Sequence, residues 1–270
     1  MKPILLLLQI FLLLPSFSSS IRTNYTSIFS FGDSYTDTGN LVILYGGLTA
    51  TPGVLIAKPP YGMTFFGQPS GRASDGRLAI DFIVECKEYF AEALFVVGEL
   101  GWNDYTVMLL ADTSVDEAGS HVPEIVANIC AATERLIEEV AKTVVVSGIP
   151  PLGCAAGNLA LMANQTGGEY EPDTGCLKDL NLLSRHHNAE LRRGLARLKG
   201  RHPGVRVIYA DLHAPITDFA AAPCRYGFDG TDGALRCCCN GAGGRYNFNL
   251  TALCGMAKVL SVLFLRQRIL

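Results

Sequence analysis

Ser34 stands where an apolar run breaks into a turn. The stretch Ser27-Ile-Phe-Ser-Phe-Gly-Asp-Ser-Tyr-Thr-Asp-Thr-Gly-Asn40 opens on Ile28–Phe31, which has strand character. It continues through a cluster of Gly, Asp, Ser, Thr and Asn, the residues of turns. A hydroxyl at such a break is exposed on a rigid support, which is how an acyl-transfer nucleophile is presented. The same serine could simply bond its own backbone, and the local run leaves both readings open. A second candidate is Asn103, in Gly98-Glu-Leu-Gly-Trp-Asn-Asp-Tyr105 after the apolar run Ala93–Val97. Its carboxamide N–H₂ at a strand's carboxyl end is a suitable donor to an oxyanion, although an Asn-Asp pair can also merely close the strand as a turn.

A serine hydroxyl is a poor nucleophile without a base, and the base needs a carboxylate to orient it. Five histidines are available. His121 and His202 sit at expected helix or loop edges, and His186 and His187 fall within a helical pattern. His213, in Asp211-Leu-His213, follows the end of a strand, and no histidine follows it. It is the one surrogate base on the right edge of the sheet, with a surface or loop histidine as the plainer reading. Arg185, Arg192, Arg193 and Arg197 could form an anion-binding face or a solvated helix face, and the latter is preferred.

The elements that must position these groups follow from the apolar patterns. Ile28–Phe31, Ala93–Val97, the Thr143-Val-Val-Val-Ser147 run and Val205–Asp211 read as strands. A helix start is expected over 77–84, a helix over 115–142 with a stripe of Ile125, Ile129, Ala132, Leu136, Ile137 and Val140, and a helix over 177–199 with Leu180, Leu183, Leu191, Leu195 and Leu198 inward. Four strands alternating with helices predict a parallel α/β sheet with helices on both faces. Ligands of such sheets bind at the carboxyl ends of the strands, where Ser34 and Asn103 fall.

The 270-residue chain carries a net charge of −3, so nothing argues for nucleic acid or an anionic membrane as a partner. Residues 1–20, with Lys2, an apolar run over 4–14 and Ser18-Ser-Ser20, read as a secretory signal peptide too short to span a bilayer. Nine cysteines suit an oxidising compartment, with Cys154–Cys176 a plausible bridge and one of Cys237–Cys239 with Cys254 another. Consecutive cysteines converge poorly on one tetrahedral ion, so no metal site is expected. Asn24, Asn164 and Asn249 head glycosylation sequons. No glycine-rich phosphate loop follows the first strand, and no cofactor is expected.

Phe31-Gly-Asp-Ser-Tyr-Thr-Asp-Thr-Gly-Asn40 resembles the first block of the plant GDSL esterase/lipase family, a branch of the SGNH hydrolases. Pro59-Pro-Tyr-Gly62, Gly71-Arg-Ala-Ser-Asp-Gly-Arg77, Gly101-Trp-Asn-Asp104 and Gly148-Ile-Pro-Pro-Leu-Gly-Cys154 resemble later family segments. The resemblance implies a three-layer α/β/α sandwich of the SGNH or flavodoxin-like kind, normally with five strands. It also implies secretion to the plant apoplast or cell wall and a small ester or lipid substrate. Ser34 would be nucleophile, and Ser34 and Asn103 would form the oxyanion hole. The family's second block, with its oxyanion glycine, is not found, so the hydrolase domain expected over 21–255 is shortened near 84–89. The family's C-terminal Asp-x-x-His is not found either: 256–270 is apolar with a basic end. The expected consequences are an incomplete sheet with an unpaired edge and a catalyst that is feeble or dead.

Overall fold

The computed structural model describes residues 25–44, 55–84, 92–139, 141–163, 167–230, 233–237 and 246–249. The signal peptide, Asn24, Asn164, the junction near 85–89, Cys254 and the 256–270 tail lie outside the described residues.

Four strands form one parallel sheet in the order β1 (Tyr25–Phe31), β2 (Glu92–Val97), β3 (Thr143–Ser147) and β4 (Arg206–Ala210). All three pairings are parallel, and Phe31 lies opposite Val97 as Val97 lies opposite Val146. The parallel α/β architecture expected from the apolar runs is therefore present. β3 is the most deeply buried strand, with Val144 and Val146 sealed from solvent, as a continuous Val run in a central parallel strand requires. β1 has one neighbour among the described residues. Its Phe29 and Phe31 are each 47% exposed, though Phe29 stacks on Phe95 at 5.1 Å.

Between the strands run α1 (Asn40–Leu44), α2 (Ala79–Val84), α3 (Trp102–Leu110), α4 (Val115–Ser120), α5 (Val122–Glu139), α6 (Ala156–Leu161) and α7 (Lys178–Arg201), and α8 (His213–Ala221) follows β4. The single helix expected over 115–142 is two. Ser114 caps α4 by accepting the Glu117 N–H at 3.2 Å. The buried stripe of α5 is Val122, Val126, Ile129, Thr133 and Ile137, so Ile129 and Ile137 face inward as expected while Ala132 is exposed. Thr133 is tolerated there because its hydroxyl donates to the Ile129 carbonyl at 2.8 Å. α3 and α8 were not expected as helices: their first turns, Trp102-Asn-Asp and His213-Ala-Pro, read locally as loop.

α7 buries all five of its expected leucines and, between them, Asn181, Ser184, His187 and Asn188. Three of these polar groups hold the loop that leaves β3. Asn188 accepts from the Ile149 N–H and donates to the Ile149 carbonyl, both at 2.8 Å; Ser184 accepts from Leu152 N–H and Asn181 from Gly153 N–H, both at 2.9 Å. They lie at 181, 184 and 188, one face of the helix, so a helix surface replaces a strand as the partner of this backbone. The arginines of α7 are exposed and pair with carboxylates: Arg185 with Glu171, Arg192 with Asp211, Arg193 with Glu190. This is the solvated face, and such pairs stabilise little.

Cys154 and Cys176 are bridged, as expected, which ties the β3 exit loop to the entry of α7. The bridge spans 22 residues, and closing a loop of that length stabilises by about 3 kcal/mol in the chain-entropy picture. Replacing both cysteines by serine is expected to lower unfolding free energy by about 2–4 kcal/mol, read from urea unfolding with the m-value fitted separately for each protein.

Candidate active site

The site begins where two backbones touch. Gly98 N–H, one residue past β2, donates to the Phe31 carbonyl at 2.5 Å, so the turns leaving β1 and β2 emerge side by side. A Cβ on Gly98 would stand 3.0 Å from that carbonyl and 3.1 Å from Gly32 Cα, and one on Gly32 would stand 2.6 Å from Thr36 Oγ1. Both positions require glycine for space. Beyond Gly32 the chain tightens, with Thr36 and Asp37 N–H both donating to the Asp33 carbonyl at 3.0 and 2.9 Å. Ser34 lies on the outer side of this turn, exposed.

Asp37 ends the turn and starts α1. Its carboxylate accepts from Gly39, Asn40 and Leu41 N–H at 2.8, 2.5 and 3.0 Å. Burial pushes its pKa up, but these three donors and the nearby Arg72 charge outweigh burial and hold it below the usual carboxylate range. The loop of Arg72 braces the turn from beneath: a Cβ on Gly71 would stand 3.0 Å from Gly39 Cα and 3.3 Å from Val42 Cγ2. Arg72 is fixed by a two-pronged contact with Asp81 at 2.8 and 2.7 Å and lies 4.6 Å over the Phe66 ring. This segment supports the turn and does not enter it, as expected for Gly71–Arg77.

Asn103 sits in the first turn of α3, not at the bare strand end that its spacing suggested. It is exposed, and its Nδ2 donates to Asp33 Oδ2 at 3.3 Å, while Asp33 Oδ1 accepts the Tyr35 N–H at 3.0 Å. One carboxylate thus joins the Ser34 turn to Asn103, and both sequence candidates share one rim of the sheet. Gly101 opens α3 at φ 104, and a Cβ there would meet the His187 ring at 2.8 Å.

Two buried groups beneath the rim were not singled out by sequence. Glu99 is 2% exposed, and neither of its oxygens has a hydrogen bond of good geometry. Burial first, then the hydrogen bond and charge of the adjoining Asp33, push its pKa up to about 10. Its one local signal is a carboxylate among apolar and glycine neighbours at a buried strand's end. His187 is fully buried in α7, and its Nδ1 shares a 2.9 Å hydrogen bond with Tyr105 Oη. Burial, with a smaller contribution from the His186 charge, lowers its pKa to about 4.

No described histidine stands as a base for Ser34. His213 begins α8, three strands from β1, roughly 14 Å away at the spacing of neighbouring strands. Its Nδ1 meets Thr217 Oγ1 at 3.3 Å. Asp211 does not orient its ring, because that carboxylate caps α8 through the His213 and Ala214 N–H and pairs with Arg192. His202 bonds Glu134 at 2.9 Å, His121 lies 3.8 Å from Glu124, and His186 lines a separate cleft with Val115 and Asp179.

Around Ser34 is an open cleft of about 450 Å³, lined by Asp33, Thr36, Leu41, Leu44 and Ile56 among others. Among the described residues no group of His, Cys, Asp and Glu could hold a metal ion, and no helix is long and apolar enough to cross a membrane. Asn249 lies in a partly buried segment behind α6, where Phe248 packs at Gly157.

A parallel sheet with an exposed serine on its first turn, beside a carboxamide and an apolar-walled cleft, is the framework of an ester-cleaving α/β hydrolase. Residues 87–235 match the family model described as GDSL-like lipase/acylhydrolase. The chain is 32% identical to a GDSL esterase/lipase of Arabidopsis thaliana, covering 92% of this chain and 87% of that protein. It is 33% identical to a second from the same plant (94% and 81%) and 31% identical to a sinapine esterase of Brassica napus (87% and 77%). The chain belongs to the GDSL lipase/acylhydrolase family, whose activity is hydrolysis of esters. The first of these alignments runs over 330 residues, more than the chain's own 270, so part of that relative has no counterpart here.

His187 makes a testable contribution to stability. Its folded pKa lies below its unfolded value near 6.5, so the native state binds fewer protons between the two. Stability is full above about pH 6.5 and falls by on the order of 3 kcal/mol as pH drops toward 4. Replacing it in His187→Gln is expected to flatten chemical-denaturation stability across that window, and a slope equal to wild type would show that His187 does not set it.

Proposed function

We propose that this chain is a secreted serine ester hydrolase whose chemistry runs through an acyl-enzyme on Ser34, at a rate reduced by the want of a base. The observation that carries the reading is the exposed Ser34 hydroxyl at the mouth of the cleft, joined through Asp33 to Asn103. In this mechanism the Ser34 oxygen attacks the ester carbonyl. The developing oxyanion is met by the Ser34 N–H and by the Asn103 Nδ2 proton not given to Asp33. The alcohol leaves with a proton, and water then releases the acid. Leu41, Leu44 and Ile56 give the cleft an apolar wall suited to the acyl part of an ester or lipid.

Attenuation follows from the missing partners. A serine without its histidine loses on the order of 10⁶ in kcat, and loss of one oxyanion donor removes roughly another 10². What survives is the residual stabilisation by the other donors and by binding. Secretion is supported by the leader-like residues 1–20, the glycosylation sequons and the Cys154–Cys176 bridge, which belongs to an oxidising compartment. The hydrolase domain is assigned to 21–255, with 256–270 as an appended tail.

On a short p-nitrophenyl ester, wild-type protein is expected to show slow turnover that disappears in Ser34→Ala. Asn103→Ala is expected to lower the rate by about 10²-fold. The same trace rate in wild type and Ser34→Ala would mean a secreted remnant without catalysis, and would end the acyl-enzyme reading.

A further inference from the structure

Glu99 takes no part in the mechanism above, yet it lies directly beneath it. It follows β2 by two residues, next to the Gly98–Phe31 contact that holds the two turns together. We propose that Glu99 is a positioning residue of this site: a carboxylic acid kept neutral, donating a hydrogen bond to Asp33 and thereby holding the Asp33 carboxylate where it orients Asn103. The proposal rests on the reading of Asn103 as an oxyanion donor.

The geometry assigns the proton. Glu99 is buried beside the half-buried Asp33, where a second negative charge would be repelled and poorly solvated. Asp33 is the acceptor of the pair, because both of its oxygens already accept, from Tyr35 N–H at 3.0 Å and from Asn103 Nδ2 at 3.3 Å. Glu99 is 2% exposed and has no N–H donor on either oxygen, so a charge there would be uncompensated. The polar group that acts on it is Asp33, near enough to accept its proton in a hydrogen bond, and the other titratable group it influences is Tyr35. Burial and Asp33 together keep the acid protonated through neutral pH, with a pKa of about 10.

A neutral acid has a function here that an apolar residue would not. A carboxylate has about four lone-pair sites on its two oxygens, so Asp33 has capacity for a hydrogen bond from Glu99 besides those from Tyr35 and Asn103. The carboxylate is then fixed from below. The Asn103 amide, bound to it on the exposed side, has one N–H taken and the other directed outward.

Carboxyl NMR on ¹³C-labelled full-length protein tests this without substrate, the Glu99 signal being identified by its loss in Glu99→Gln. The Glu99 carboxyl is expected to stay protonated beyond neutral pH, and titration in the ordinary glutamate range overturns the proposal. The Asn103 side-chain N–H₂ resonances are expected to shift or broaden in Glu99→Ala and to lie near their wild-type positions in Glu99→Gln; no movement in Glu99→Ala also overturns it. Where Ser34-dependent turnover is measurable, Glu99→Ala is expected to lower kcat roughly 10- to 100-fold at little-changed KM, with Glu99→Gln recovering most of the loss. Equal losses in both variants would count against a hydrogen-bonding role. Absence of Ser34-dependent turnover in wild type would instead remove the proposed function, and the two NMR readouts alone would then decide the role of Glu99.

Discussion

The contact of Gly98 with Phe31 and Gly32 is the constraint on which the candidate site depends. Parallel pairing brings the ends of β1 and β2 level, but a level register alone leaves two turns free to splay apart. The absence of side chains at Gly32 and Gly98 lets one backbone donate to the other past the last strand residue. Ser34, two residues along one chain, and Glu99 and Asn103, a few residues along the other, are thereby brought to a common rim. The Asp33–Asn103 bond is a consequence of that approach, and it spans 70 residues of sequence.

Around this contact the fold accepts unusual desolvation. Glu99 and His187 are buried ionisable groups, each with at least one unpartnered polar atom, and both lie beneath the loop that presents Asn103. Groups of this kind weaken a core unless they are kept neutral, and burial keeps both neutral. Asn181, Ser184 and Asn188 on α7 are buried polar groups of another sort: each is satisfied by backbone, and together they hold the β3 exit loop. The helix thus supports the sheet's carboxyl edge twice, by hydrogen bonds at β3 and by the His187 ring under Gly101.

Membership of the GDSL family and the shape of this chain pull in different directions. The Ser34 turn, its Arg72–Asp81 brace and the Asn103 carboxamide are assembled, while the histidines sit elsewhere for evident structural reasons: one in the core, one at the head of α8, the others paired with glutamates or exposed. Among the described residues β1 has one neighbour, and its Phe29 and Phe31 are exposed aromatics where solvent-facing strands usually carry charge.

Local chemistry made several features legible in the sequence alone: the strands, the leucine stripe of α7, the Cys154–Cys176 bridge, and a turn carrying Ser34. Apolar runs, helical spacing and turn residues act over a few positions, so their signals survive without knowledge of the rest of the chain. The family, too, was readable, because its motifs are long and contiguous. The rest needed the tertiary structure. The split between α4 and α5 depends on a single cap at Ser114, and the rotation of the α5 stripe depends on what lies opposite it. Glu99 and His187 read as ordinary polar residues until packing removes their water. Desolvation and juxtaposition are properties of the assembled chain, and the neutral acid under Asp33 and the Asp33–Asn103 bond exist only once two strand ends meet.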